Sequence, residues 1–181
     1  MIRRAGFILA ALVGLAACEP VPKDGLNPQA AQVFAGKTPD QIMPRVSGGT
    51  LVSAFKTVCD NNVGNPRASL AAIKANGLIG VVTQDGITVY ADPNGKFPMT
   101  ALGRDPRSRL NICMVLVPDS QSLRRAAHSY LGGKPGVVEV PVDGRIPGAL
   151  KLWGAGNAVY LTIKETNPVY GDSLAVMLTY E

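Results

Sequence analysis

The chain has 181 residues, 46% of them hydrophobic, with 18 Lys and Arg against 13 Asp and Glu and a formal charge of +5. One histidine and three cysteines supply a Cys/His zinc site poorly, and no repeat of fixed period is visible, which argues against a solenoid or propeller. The length suits a single domain.

The first element is Met1–Ala17. Arg3 and Arg4 precede an apolar run that closes on small residues, the layout of a secretory signal peptide. Glu19, Pro20 and Pro22 stop the run short of the roughly 20 apolar residues a membrane span needs. Leu15-Ala16-Ala17-Cys18 resembles the lipobox of bacterial lipoproteins. That resemblance implies cleavage before Cys18, a diacylglyceryl thioether on its sulfur and acylation of the new amine. Glu19, where a retention signal would place aspartate, favours the outer over the inner membrane. Loss of residues 1–17 leaves 181 less 17, or 164, residues, and lowers the charge from +5 to +3 because Arg3 and Arg4 leave with them. An exported protein of that charge points to anionic headgroups, a cell-wall component or an envelope protein as partner, not to nucleic acid.

Residues 18–49 read as the lipidated cysteine and a tether. Five prolines and four glycines between Glu19 and Gly49 block long helices, and only a short helix over Gln29–Phe34 interrupts them. As flexible chain this segment would reach roughly 30 Å on average. Residues 50–181 read as one globular domain.

From Thr50, Leu51, Val52, Phe55, Val58 and Cys59 recur at helical spacing. Asn65-Pro66 opens a second helix and Asn76-Gly77 stops it. Leu78–Thr83 and Ile87–Ala91 flank Gln84-Asp85-Gly86, a hairpin signal; Asp92–Gly95 is a turn, and Phe97–Leu102 a third strand. Arg104–Arg109 is a polar loop. Leu110–Val117, nearly all apolar, reads as a central strand. Asp119 or Ser120 caps a third helix whose Leu123, Ala126, Ala127, Tyr130 and Leu131 share one face, and Gly132-Gly133 ends it. A short strand at Val137–Val140, then Ala149–Trp153, Ala158–Glu165 and Ser173–Tyr180 complete a meander, with a loop through Asn167-Pro168. The last strand alternates, Leu174, Val176, Leu178 and Tyr180 opposing Ser173, Ala175, Met177 and Thr179. The expected fold is α+β, an antiparallel sheet with two to three helices packed on one face.

With Cys18 lipidated, Cys59 and Cys113 remain, 54 positions apart. A disulfide, two buried thiols and a metal pair are all open; an even count in an oxidising space favours the disulfide.

Chemical motifs are weak. Gly171-Asp172-Ser173-Leu174 resembles the nucleophile block of the esterase family named for those letters, but that family carries it near the start of the domain with a histidine near the end. Here it lies at the C-terminus with His128 upstream, so turn chemistry explains it. Ser53-Ala54-Phe55-Lys56 lacks the partner motifs of penicillin-binding enzymes. Gly133-Lys134 fails as a P-loop, Gly154-Ala155-Gly156 as a dinucleotide fingerprint and Asp92–Gly95 as an EF-hand. His128 reads as a surface histidine beside Arg124 and Arg125; with Arg104, Arg107 and Arg109 these form a candidate patch for anionic surfaces. No cofactor, metal or catalytic residue is expected.

"FKTVCDN", the Ala-rich helix ending in "ANG", and "NICMVLVPDS" leading into a helix are similar to small proteobacterial lipoproteins and periplasmic proteins of uncharacterised activity. The resemblance covers Thr50 to Tyr130. It implies this fold and the Cys59–Cys113 pairing, and no activity. The expectation is a periplasm-facing lipoprotein of the cell envelope acting as a non-catalytic binding module; the alternatives are a serine hydrolase using Ser173 and an inhibitor or chaperone-like module.

Overall fold

The computed structural model describes residues 25, 27–142, 144, 146–167 and 171–181. The expected export segment, Cys18 and Pro168 lie outside the described residues. Among the described residues no helix is long and apolar enough to cross a membrane.

Five α-helices, one short 3-10 helix (Asp60–Asn62) and eight strands occur among the described residues. Helices α1 (Pro28–Val33), α2 (Pro39–Ile42), α3 (Gly48–Val58) and α4 (Pro66–Ala75) precede β1 (Ile79–Gln84), β2 (Ile87–Ala91), β3 (Met99–Arg104) and β4 (Asn111–Pro118). Then come α5 (Gln121–Gly132), β5 (Val138–Val140), β6 (Ala149–Ala155), β7 (Ala158–Asn167) and β8 (Gly171–Tyr180). The architecture is α+β. All eight strands form one sheet in the order β1-β2-β3-β4-β8-β7-β6-β5, with every neighbouring pair antiparallel. Two meanders therefore meet at β4 and β8. The segment containing α5 carries the chain from the middle of the sheet to its far edge, and three hairpins bring it back beside β4.

Local chemistry explains the element ends. Ser47 Oγ accepts from the Thr50 amide (3.1 Å), Asn65 Oδ1 from Ala68 (3.1 Å) and Ser120 Oγ from Leu123 (3.3 Å), each satisfying a donor that the first helical turn leaves free. Asp85 and Gly86 have φ of 50° and 77°, the left-handed pair that a two-residue hairpin loop requires.

The sheet has two packed faces. On one, Cys113, Val115, Leu174, Val176 and Leu178 join Leu51, Phe55 and Val58 of α3, Ile73 of α4 and Leu123 and Leu131 of α5 in one buried cluster. On the other, Val89, Met99, Met114, Leu116, Leu161 and Met177 join Ala30 and Phe34 with Ile42 and Met43. β4 and β8 are thus apolar on both sides. Cys59, at the end of α3, is bonded to Cys113 in the middle of β4, with Cα atoms 5.6 Å apart and both residues fully buried.

The stretch expected as a free tether behaves differently from Asn27 onward. Phe34, Ile42 and Met43 are 1%, 4% and 2% exposed. Proline and glycine limit helix length here, but these apolar side chains gain more by covering the second face of the sheet than by facing water. Gly48 and Gly49 likewise open α3. A Cβ on Gly48 would lie 2.6 Å from Ala126 Cβ, so the close approach of α3 and α5 requires glycine there.

Candidate functional site

Antiparallel register places Met114, Met177, Leu161 and Leu152 side by side across β4, β8, β7 and β6. The adjoining row, one step of two residues along each strand, holds Ile112, Thr179 and Val159. Both rows lie on the face away from α3 and α5. Helices α1 and α2 cover the part of that face beyond the first row, around Val89 and Met99. The two rows themselves line a cavity of about 380 Å³, a size and an apolar lining typical of ligand pockets.

Its rim comes from loops. Gln84, Asp85 and Ile87 of the β1–β2 hairpin stand on one side, and Asp105, Arg107 and Ser108 of the β3–β4 loop beside them; Ile146 closes the opposite side. The β3–β4 loop is built rather than loose. Asp105 accepts from the Arg107 amide (3.0 Å) and the Ser108 hydroxyl (2.7 Å), and these bonds hold its carboxyl below the usual range. Arg104 Nε donates to the Arg109 carbonyl at 2.8 Å. Gly103, beneath this corner, lies against the Gly86 carbonyl, which a Cβ would strike at 2.1 Å.

The helix-backed face carries two polar clusters. Asp60, just after α3, accepts hydrogen bonds from Tyr130 of α5, from Tyr160 of β7 (2.9 Å) and from Lys134 Nζ (2.5 Å). Lys134 also sits over both tyrosine rings, 5.3 and 5.4 Å from their centroids. Burial pushes the Asp60 carboxyl up, but the three donors outweigh it and leave it below its ordinary value; burial and Asp60 together push both tyrosines well up. Every strong donor here has an acceptor. The second cluster is His128, whose Nε2 lies 3.0 Å from Thr162 Oγ1 and whose ring lies 5.6 Å from that of Trp153. The expected surface histidine is therefore half-buried between α5 and the sheet, since its ring adds to the apolar contact of that face. Burial, then Lys151, hold its pKa below the ordinary value.

Ser173 is fully buried and donates to the Glu165 carbonyl (3.4 Å). It alternates with Leu174 and Val176 along β8 and so faces away from the side where His128 packs; the sheet stands between the two. Asp172 pairs with Lys164 (2.5 Å) and accepts from Thr166 (2.8 Å). The six residues of the expected basic patch come from two segments of the chain. Arg104, Arg107 and Arg109 precede β4, whereas Arg124, bonded to Asp119, and Arg125 and His128 follow it. The eight residues of β4 separate its two ends by about 23 Å at the usual rise per residue. Arg107 alone of the six lines the cavity.

The cavity was not visible in the sequence. Its one trace was the second side of β8, where Met177 and Thr179 alternate with core residues; nothing local told which strands would lie beside it. No family model, curated protein or solved structure matches the chain.

Proposed function

We propose that this is a lipid-anchored protein of the bacterial cell envelope whose domain is a non-catalytic binding module, with the apolar cavity as its ligand site. The cavity is the observation that carries the reading: two rows of largely apolar side chains across four strands, flanked on one side by a hydrogen-bonded loop. In this reading α3, α4 and α5 are the layer that backs one face of the sheet, and the opposite face does the binding. The layout of residues 1–17 and the Leu15–Cys18 lipobox support export and lipidation on Cys18, and Glu19 supports the outer membrane as address. The membrane is then reached through the anchor, and an envelope protein or cell-wall component remains the further partner.

Two measurements test this. Cells fed an alkyne fatty acid should label the full chain, and Cys18→Ala should abolish the label; undiminished label in that variant would refute the anchor. The full chain carrying Cys18→Ala, in a steroid detergent without alkyl chains, should bind 11-(dansylamino)undecanoic acid saturably at one site. Leu161→Trp, which fills the cavity, should weaken that binding at least tenfold. Equal binding by both would refute the site, and labelling of Ser173 by a fluorophosphonate would refute a non-catalytic domain.

A further inference from the structure

The first described residue, Gly25, bonds to Thr83, the neighbour in sequence of the rim residue Gln84. Thr83 N donates to the Gly25 carbonyl (3.0 Å) and Asn27 N to the Val81 carbonyl (2.8 Å), and Asn27 Nδ2 donates to the Gly80 carbonyl (2.9 Å). Gly25 and Asn27 therefore bond to the outer edge of β1 in the antiparallel sense. From Asn27 beside Val81 to Gly25 beside Thr83, the direction is that of Gln84 and Asp85, which stand on the cavity rim. Cys18 is seven residues before Gly25. In any conformation that length spans at most about 25 Å, and as flexible chain it averages about 15 Å. A group carried on Cys18 stays within about 25 Å of Gly25, a radius that takes in the rim residues Gln84 and Asp85, one and two positions along from Thr83.

We infer that the cavity holds one acyl chain of the protein's own Cys18 anchor. This rests on the lipid-anchor reading above and names the occupant of the same site. The size fits: 380 Å³ accepts on the order of a dozen methylenes if each takes about the 30 Å³ share of a water molecule. The lining fits as well. Met114 and Met177 lie side by side in the floor, and unbranched thioether side chains adapt to a flexible alkyl chain. The short link raises the effective concentration of the acyl chain at the site far above that of a free lipid. An anchor of three acyl chains that lends one to the cavity keeps two in the bilayer, and two hold firmly where one does not. The domain is then docked on its anchor, close to the membrane surface, with the cavity closed to free acyl ligands until the chain is withdrawn.

The test uses the full chain made in a bacterium fed a diazirine fatty acid, purified in a steroid detergent, irradiated and digested. Intact mass first reports whether Cys18 carries lipid. The expected result is a lipidated mass with anchor-derived crosslinks on the β7 and β8 peptides bearing Leu161 and Met177, reduced at least fivefold in Leu161→Trp. That variant is checked for an unchanged circular dichroism spectrum; if it misfolds, Thr179→Leu, which narrows the cavity from its other row, takes its place. A second expectation is that the lipidated chain binds the dansyl undecanoate at least tenfold more weakly than Cys18→Ala. A lipidated mass with crosslinks confined to the N-terminal peptide, or with a separate co-purifying lipid crosslinked at those strands, overturns this inference and leaves the anchor standing. An unmodified mass overturns the anchor reading and this inference with it.

Discussion

Asp60→Ala should destabilise the domain by about 3 kcal/mol at neutral pH. The Asp60 side chain is 5% exposed and receives three donors from two separate segments, α5 with the turn that ends it and β7. Truncation leaves the Tyr160 hydroxyl, on a residue 4% exposed, with no acceptor; an orphaned buried donor costs about 1–3 kcal/mol. Lys134 is 22% exposed at its side chain and rehydrates in part, so its loss adds less than the 3–5 kcal/mol typical of a broken buried pair. Asp60→Asn, which keeps one carbonyl acceptor, should cost about half as much. Urea unfolding of the non-reduced protein at pH 7 measures both, and a double-mutant cycle with Tyr160→Phe should show coupling of about 1 kcal/mol or more. A loss below about 1 kcal/mol for Asp60→Ala would refute the claim that this carboxylate ties the end of α3 to α5 and β7. The pH dependence has a definite sign. The folded carboxyl sits below its ordinary 3.8, so its contribution is present above that pH and is lost as pH falls toward the folded value. In Asp60→Asn that acid-sensitive component should vanish.

Replacing Cys59 and Cys113 together by alanine should lower stability by about 4 kcal/mol from loop closure over 54 residues, read from urea midpoints with and without reductant. Gly48→Ala places a Cβ 2.6 Å from Ala126 and should cost about 1–3 kcal/mol, despite the better helix propensity of alanine; Ala126→Gly in the same chain should restore most of the thermal midpoint. His128 has a folded pKa below its ordinary 6.5, so its contribution is complete above pH 6.5 and declines as pH falls below it, by no more than about 1.4 kcal/mol per pH unit. In His128→Gln the stability profile between pH 6.5 and 5 should flatten, and an unchanged slope would show that the ring is not held neutral against Thr162 and Trp153.

Much of the fold was legible because its signals are local. Asn65-Pro66, Ser120 and Asp85-Gly86 act within four residues of themselves, and each ends or begins an element where expected. The apolar run in β4 reported a strand covered on both faces, which it is. The site was far less legible. Arg104 and Arg124 looked like neighbours by charge, yet β4 lies between them. His128 looked exposed because its helix neighbours are arginines, yet its own ring turns toward Trp153. Helix periodicity tells which side a residue occupies only to within a turn, and a residue at the margin of the apolar face goes where the sheet leaves room.

The residues after Gly25 show the same division at larger scale. Composition alone made them a tether, since proline and glycine forbid long elements whatever the surroundings. Only the assembled sheet offered Phe34, Ile42 and Met43 an apolar surface, and burial on it outweighed their poor local propensity. By itself the sequence determined where elements start and stop and which side of each strand is apolar, because those depend on neighbours in the chain. The tertiary structure decided that β8 lies between β4 and β7, and hence that Met114, Met177 and Leu161 share a cavity floor. Strand order is set by contacts between residues far apart in the chain, and no local pattern encodes it.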